Sequence, residues 1–237
     1  MSATERRVAV IQPYFFPYFG YWQLMASADV FVVYDDVQYV RRSWMNRNRI
    51  VIDGEARWVT MPVTSMPLDT SIDRIELARH HGSAAAKICR QVRFGYRDAP
   101  NVHRALQLLE ASFDSKDRLL TQTIYRSFDA IRGALGITTP MVRSSTLGVD
   151  RSLPKQQRLI EVCQAVGGTA HLSLSGGRTM YSVDDFASAG LGLLFHDLDH
   201  MRGATELSGA YSLLDTIATM PREWVQARLH DARWLDS

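Results

Sequence analysis

The densest group of chemically capable side chains lies within residues 35–49. Two adjacent carboxylates, Asp35 and Asp36, follow an apolar run, and an arginine-rich stretch comes directly after them. A carboxyl group buried among aromatic side chains has a raised pKa and can accept a proton at neutral pH. We therefore predict that one carboxylate of the pair Asp35 and Asp36 enters the pocket as the catalytic base. A loop of solvated, hydrogen-bonded carboxylates is the alternative.

The arginine-rich stretch predicts a binding site. Guanidinium groups bind phosphate through two parallel hydrogen bonds, and a neighbouring tryptophan stacks on a base or on an arginine. We therefore predict a phosphorylated small-molecule substrate, either a nucleotide sugar or the arm of a carrier. An exposed charged loop is the alternative. The predicted binding residues here are Gln38, Arg42, Trp44, Asn46, Arg47 and Arg49.

Two turns contribute further binding candidates. The aromatic turn 12–21 lies between an apolar run and a helical segment, and its rings suit stacking on a base or a sugar. The turn in SLSGGR (173–178) resembles a backbone anion nest, although a simple tight turn explains two glycines equally well. The predicted substrate-binding residues of these turns are Gln12, Tyr14, Tyr18, Gly176, Gly177, Arg178 and Tyr181.

The segment FHDLDH (195–200) contains the remaining acid–base candidates. His196 is the second predicted catalytic base, and Asp197, Asp199 and His200 extend it to a His–Asp relay, a metal cluster or a hydrogen-bonded polar loop. We predict no metal site, because the chain has no Cys/His metal spacing and its two cysteines lie within helical patterns. No cofactor is evident beyond an acyl or aminoacyl carrier protein or a nucleotide-activated donor.

The elements that must position these groups alternate between strands and helices. The apolar runs at 8–11 and 30–34 predict buried strands joined by a short helix, and such units form parallel sheets whose ligands gather beyond the carboxyl ends of the strands. Asp53-Gly54 predicts a β-hairpin turn. Helical patterns predict an insertion at about 80–135, and two helices at 207–219 and 221–235.

The pattern predicts one α/β domain over residues 1–237, with a helical subdomain at about 80–135. We expect a three-layer, mainly parallel Rossmann-like sheet, with a nucleotidylyltransferase-like fold as one variant. The 237 residues, 46% of them hydrophobic, suffice for a core, and the net charge of +2 argues against a nucleic-acid partner. No apolar run approaches the roughly 20 residues of a membrane span. We predict a cytoplasmic protein without a signal peptide.

Several motifs, in order along the chain, resemble the WbqC-like protein family. They are QPYFFPYFGYWQL, ADVFVVYDDVQY, RRSWMNRNRI, WVTMPV, SIDRIEL, HLSLSGGRTMY, LGLLFHDLDH and LSGAYSLLDTIATMP. The resemblance implies a sugar-modifying protein of O-antigen (lipopolysaccharide) and related pathways, with a glycine or acyl transferase role. It also favours Asp36 over Asp35, because Asp36 matches the family's acidic pattern more closely.

These inferences lead to one preferred function and two alternatives. The preferred function is an amide-forming acyl or aminoacyl (glycyl-type) transferase that acts on an amino sugar or related amine in surface-polysaccharide or specialised-metabolite biosynthesis. One alternative is a non-catalytic protein that binds a ligand or carrier protein. The other is an ATP-dependent ligase of nucleotidylyltransferase-like fold, which is weakened because Tyr18 and Tyr21 stand where that fold carries histidines.

Overall fold

A six-stranded sheet forms the centre of this computed structural model, which describes residues 5–113, 117–197 and 211–236. The strand order is β5-β2-β1-β6-β7-β8; the first five strands are parallel and β8 is antiparallel to β7. The predicted α/β class with a mainly parallel sheet is therefore confirmed. The strands are β1 (Arg7–Ile11), β2 (Val30–Val33), β5 (Met141–Arg143), β6 (Ala170–Leu174), β7 (Gly192–His196) and β8 (Trp234–Asp236).

Helices cover both faces of the sheet because the central strands are apolar on both sides. In β1 and β2, Val8 and Val30 face one hydrophobic cluster, whereas Ala9 and Phe31 face the other. Such continuous apolar strands are typical of a parallel sheet buried between two helical layers. The helices are α1 (Phe19–Ser27), α2 (His81–Gly95), α3 (Val102–Phe113), α4 (Leu120–Leu135), α5 (Lys155–Ala165), α6 (Val183–Ser188), α7 (Leu213–Thr219) and α8 (Arg222–Leu229).

A hairpin and three helices separate β2 from β5. Strands β3 (Arg47–Ile52) and β4 (Glu55–Thr60) form a two-stranded sheet of their own. Its turn residues Asp53 and Gly54 have φ of 52° and 77°, as a two-residue hairpin turn with positive φ requires, so the predicted turn is confirmed. Helices α2–α4 follow and share the hydrophobic cluster on one face of the sheet.

Tyr96 ties the hairpin to the helices that flank it. Its hydroxyl accepts a hydrogen bond from the Val51 backbone N–H (2.9 Å) and donates one to Asp215 Oδ1 in α7 (2.8 Å). Burial raises the pKa of the Asp215 carboxyl. These bonds fix the position of β3 relative to α2 and α7, and hence the direction in which the hairpin side chains point.

The prediction of a C-terminal helix over 221–235 is wrong for its last residues. Helix α8 stops at Leu229, and Trp234–Asp236 pairs with β7 instead. The antiparallel strand covers the edge of β7, whose backbone N–H and C=O groups would otherwise lack partners. Within the described residues, no helix is long and apolar enough to cross a membrane.

The order of the strands reverses between β1 and β6. From β1 the chain proceeds to β2 and β5 on one side, and then returns to β6 and β7 on the other. In parallel α/β sheets, the crevice beyond the carboxyl ends of the strands at such a reversal is the usual ligand position. The residues that leave these strands are Gln12 after β1 and Ser175 after β6.

Candidate functional site

The turn after β1 is held rigidly in place. Phe16 has a left-handed φ of 46°, which is unfavourable for a bulky residue. Its carbonyl oxygen accepts hydrogen bonds from Asn48 Nδ2 (2.7 Å) and Ser212 Oγ (2.9 Å), and Asn48 Nδ2 also donates to the Phe15 carbonyl (2.9 Å). Side chains from two distant segments therefore hold the strained conformation, and with it the residues on either side of Phe16.

This turn brings a glutamine and several phenols together at the strand-order reversal. The Tyr14 hydroxyl donates to Gln12 Oε1 (3.5 Å), and burial together with Tyr14 raises the pKa of Tyr18. Tyr181, after β6, has its pKa raised by burial and then by Cys163 and Tyr14. These hydroxyls therefore stay protonated at neutral pH and can donate hydrogen bonds to a sugar or a phosphate.

Close packing requires a glycine at one of the two glycine positions in the turn after β6. A Cβ on Gly177 would overlap Ser173 Oγ and lie 2.8 Å from Tyr181 Cε2, whereas a Cβ on Gly176 would meet nothing within 4 Å. Close packing thus accounts for Gly177, which is the simpler alternative left open by the sequence. Arg178 is exposed, with its guanidinium 5.5 Å from the centre of the Phe195 ring. Substrate binding by this turn stays a prediction.

Asp35 is buried within a set of hydroxyl and amide donors. Its Oδ2 accepts from Tyr125 Oη (2.5 Å) and Ser145 Oγ (2.9 Å), and its Oδ1 accepts from the Ser145 N–H (2.9 Å). Burial and this contact with Asp35 raise the pKa of the Tyr125 hydroxyl. The contacts join the end of β2 to α4 and to the turn after β5.

Asp36 points to different partners. Its Oδ2 lies 2.6 Å from Nη2 of the buried Arg158 and 3.3 Å from Nε of the half-exposed Arg151, and Ser144 Oγ donates to its Oδ1 (2.5 Å). As the structure stands, Asp36 resembles an anchor for α5 more than a base; its catalytic role stays a prediction.

The arginine-rich stretch forms a cluster with aromatic rings from other segments. The Arg47 guanidinium stacks 4.1 Å from the centre of the Trp58 ring, and Arg49 lies within 5.3–5.9 Å of the ring centres of Trp44, Trp58 and Tyr211. A guanidinium that stacks on an aromatic ring is held in a defined orientation. Its N–H groups point outward from the stack and remain able to donate hydrogen bonds to a ligand. Such a cluster can hold a phosphate.

Both asparagines of this stretch are structural. Asn46 Nδ2 donates to the Met61 carbonyl (2.9 Å), and Asn48 holds the turn after β1 as described above. The predicted substrate contact of Asn46 is thus replaced, for its amide nitrogen, by a backbone contact within the hairpin. Gln38 is exposed and donates to the Leu68 carbonyl (2.7 Å), and Arg42 is exposed at a φ of 56°.

The predicted second base lies away from the surface. His196 ends β7 and is fully buried, with its ring centre 5.2 Å from that of Trp234. Asp197 is half-buried and follows it, whereas Asp199 and His200 lie outside the described residues. In the described parts of the chain, no three His, Cys, Asp or Glu side chains are grouped to hold a metal ion.

Backbone contacts connect two of these groups. The Phe15 N–H donates to the Trp44 carbonyl (2.8 Å), and the Ser212 N–H donates to the Arg49 carbonyl (2.9 Å). The turn after β1 therefore lies against the arginine–aromatic cluster. Asp36 instead contacts Arg151 and Arg158.

Several residues that contact the candidate site could not be recognised from the sequence around them. Tyr125, Ser144 and Arg158 come from the helical insertion and the second half of the chain, yet they surround the acidic pair. Trp58 lies on β4 and Tyr211 precedes α7, yet both stack on the arginines. The sequence did offer a clue to Trp58, because the predicted hairpin returns the strand that contains it beside the arginines of β3.

Comparison with known proteins agrees with the motifs. The chain is 28% identical over 229 residues to the uncharacterized protein Rv1507c of Mycobacterium tuberculosis (strain ATCC 25618 / H37Rv), a match that covers 92% of this chain and 95% of that protein. No solved structure matches significantly. The family model described as the WbqC-like protein family matches residues 12–226, a range that includes the turn after β1, the acidic pair, the arginine cluster and the glycine turn. The chain therefore belongs to the WbqC-like protein family.

Proposed function

We propose that this protein is a cytoplasmic amide-forming transferase that moves an acyl or aminoacyl (glycyl-type) group onto an amino sugar or related amine. The pathway we propose is surface-polysaccharide (O-antigen) or specialised-metabolite biosynthesis. The main support is the contact between the phenol-lined turn at the strand-order reversal and the arginine–aromatic cluster beside it. Phenols and amides suit the hydroxyls of a sugar, and oriented guanidiniums suit a phosphate.

In this proposal, each group of residues has one task. Arg42, Arg47 and Arg49 hold the phosphate of a nucleotide sugar or of a carrier arm. Trp44 and Tyr14 stack on its rings, while the hydroxyls of Tyr18 and Tyr181 donate to the sugar. The same ligand contacts Gln12, Gln38, Gly176 and Arg178. It contacts Asn46 at the amide oxygen and Gly177 at the backbone, because the Asn46 amide nitrogen bonds within the hairpin and Gly177 is closely packed.

The proposed reaction needs a base and no covalent enzyme intermediate. The amine nitrogen attacks the carbonyl carbon of an activated donor such as a thioester; the C–N bond forms, and the bond to the leaving group breaks. The proton lost by the amine passes to Asp36, or in the second assignment to His196, and the leaving group carries away the donor's electron pair.

Mass spectrometry tests this proposal directly. The full chain is incubated with amino-sugar nucleotides and with acyl and glycyl thioesters, and the product is the amino-sugar nucleotide heavier by the transferred group. Asp36→Asn should slow turnover roughly 100- to 10,000-fold, as expected for loss of a general base. Arg47→Ala should raise the KM, and Arg90→Ala, an exposed arginine on α2, is the control. Unchanged turnover in Asp36→Asn and Arg47→Ala would contradict these roles.

A second candidate is a binding protein that performs no chemistry. It is favoured by one observation: Asp35 and Asp36 already have hydrogen-bond or ion-pair partners at both carboxylate oxygens. In this case, the same amino-sugar nucleotides would bind saturably and no heavier product would form. Titration by tryptophan fluorescence, run beside the mass measurement, separates the two candidates.

A further inference from the structure

One part of the surface is enriched in positive charge. Residues 38–49 contain four arginines (Arg41, Arg42, Arg47 and Arg49) and neither aspartate nor glutamate, so their formal charge is +4, whereas that of the whole chain is +2. The hairpin that follows adds Arg57, which forms an ion pair with Glu55 of the same strand (2.6 Å), and Asp53 in its turn. Residues 38–68 as a whole therefore carry a formal charge of +3, and the positive charge is greatest in the 38–49 segment.

The same surface exposes large apolar side chains. Val40 is 53% exposed, Leu68 69%, Trp44 37% and Trp58 43%. These four are half of the eight large hydrophobic side chains that are exposed within the described residues. We call the surface formed by Val40, Arg41, Arg42, Trp44, Trp58 and Leu68 the Arg–Trp face.

Contacts between segments make the Arg–Trp face continuous. Arg41 Nη2 donates to the Met66 carbonyl (2.7 Å), which places the 38–44 loop beside the 66–68 segment. On the other side, the Trp44 and Trp58 ring centres are 5.1 Å apart. An Arg47 guanidinium nitrogen donates to the Arg42 carbonyl, so this loop is also attached to β3. The face therefore spans both loops and the hairpin.

We propose that the Arg–Trp face docks an acidic protein whose carboxylates surround an exposed apolar side chain. Arginine and tryptophan are the residues that most often dominate the energy of protein interfaces, and lysine, which is depleted there, is absent from residues 38–68. A positive face that lacks acidic residues selects a negative partner, because like charges placed opposite each other repel.

The observations favour a protein over a nucleic acid or a lipid surface. Trp44 and Trp58 could stack on bases, but Val40 and Leu68 are aliphatic and offer no ring for stacking, and the chain's net charge of +2 lacks the strong basic excess of nucleic-acid-binding domains. One hydrogen bond, from Arg41 Nη2 to the Met66 carbonyl (2.7 Å), restrains the guanidinium and favours directed binding of a carboxylate; the attraction of basic residues to anionic lipid is diffuse and needs no such restraint. The face shares Arg42 and Trp44 with the proposed phosphate site. The test therefore alters Arg41 and Leu68, which have no part in the proposed transfer reaction, so the two proposals can fail separately.

Fluorescence anisotropy with defined probes tests the docking. The main probe is a labelled helical peptide of about 20 residues, long enough to keep helicity in water, with glutamates on both sides of a leucine stripe. Its matched partner carries lysines in place of the glutamates. A single-stranded oligonucleotide and vesicles of phosphatidylglycerol complete the set. We expect saturable binding of the glutamate peptide, and at least tenfold weaker binding by Arg41→Glu/Leu68→Ala.

A charge-reversal control and a folding check accompany the double variant. Arg126→Glu reverses one exposed charge on α4 and should bind as the unchanged protein does. Near-ultraviolet circular dichroism establishes that the double variant is folded, which is expected because both altered side chains are exposed. Failure of the glutamate peptide to bind, equal binding of the lysine peptide, or binding only to the oligonucleotide or the vesicles would overturn the proposal.

Discussion

Asp36 Oδ2 and Arg158 Nη2 lie 2.6 Å apart in a buried ion pair, with only 3% and 6% of the two side chains exposed. This pair connects the end of β2 to the first turns of α5. Removal of one partner leaves an uncompensated charge in the interior. The relationship makes Asp36 important for stability whatever its part in catalysis.

The first prediction concerns this ion pair. Arg158→Met should lower the free energy of unfolding by about 3–5 kcal/mol, because Asp36 then stays buried without its main counter-charge. Arg151→Met is the matched control: its side chain is 45% exposed, and the loss should be about 1 kcal/mol or less. Urea unfolding followed by circular dichroism measures both. Equal stability of Arg158→Met and the unchanged protein would show that the pair is not needed.

The second prediction separates the two glycines after β6. Gly177→Ala should destabilise the protein by about 1–3 kcal/mol, because the new methyl group overlaps Ser173 Oγ and crowds the Tyr181 ring. Gly176→Ala meets no atom within 4 Å and should change the stability little. Thermal unfolding distinguishes them. If both variants melt at the same temperature, packing does not explain the glycine at 177.

The third prediction is a pH dependence caused by His171. Burial lowers the pKa of His171 to about 4, from 6.5, and its Nδ1 lies 3.1 Å from the Val8 carbonyl, to which it donates in the neutral form. The neighbouring Cys163 thiol has its pKa raised to about 12 by burial, so it offers no negative charge to a protonated imidazole.

Between pH 6.5 and pH 4 the unfolded chain therefore binds more protons at His171 than the folded chain does, and stability falls as the pH falls. We expect the contribution of His171 to the free energy of unfolding to be about 2 kcal/mol smaller at pH 5 than at pH 7. His171→Gln should remove that part of the dependence, and His103→Gln, on the exposed side of α3, should retain it. Urea unfolding at the two pH values measures this. Identical pH profiles for all three proteins would contradict the assignment.

The fourth prediction links Asn48 to the turn that carries Tyr14 and Tyr18. Asn48→Ala removes both hydrogen bonds to the Phe15 and Phe16 carbonyls, and should cost about 2 kcal/mol because buried acceptors lose their partner. Hydrogen exchange at the Phe15 N–H, which donates to the Trp44 carbonyl, should accelerate. Ser212→Ala removes one bond to the same Phe16 carbonyl and also the N-cap bond from the Leu214 N–H, so its effect is compared by the exchange rate at Phe15, where about half the acceleration is expected. If hydrogen exchange at the Phe15 N–H is unchanged in both variants, the conformation of the turn does not depend on these side-chain hydrogen bonds.

Much of the architecture was predictable from local pattern. The apolar runs of β1 and β2 are buried strands on both faces, and Asp53-Gly54 forms the hairpin turn, because burial and positive φ are properties that single residues signal by themselves. The end of the chain was not predictable in this way. Residues 230–235 continue a helical pattern, but the unpaired edge of β7 recruits Trp234–Asp236 as a strand.

By itself, the sequence determined which chemical groups follow the strands, and that parallel strands place those groups at one edge of the sheet. Only the tertiary structure decided what each group touches. Asp36 meets Ser144, 108 residues away, and Arg158 beyond it, while Arg47 stacks on Trp58 across the hairpin. The physical reason is that periodicity and turn chemistry are local, whereas the partner of a buried charge is set by how distant segments pack, and no residue spacing encodes that choice.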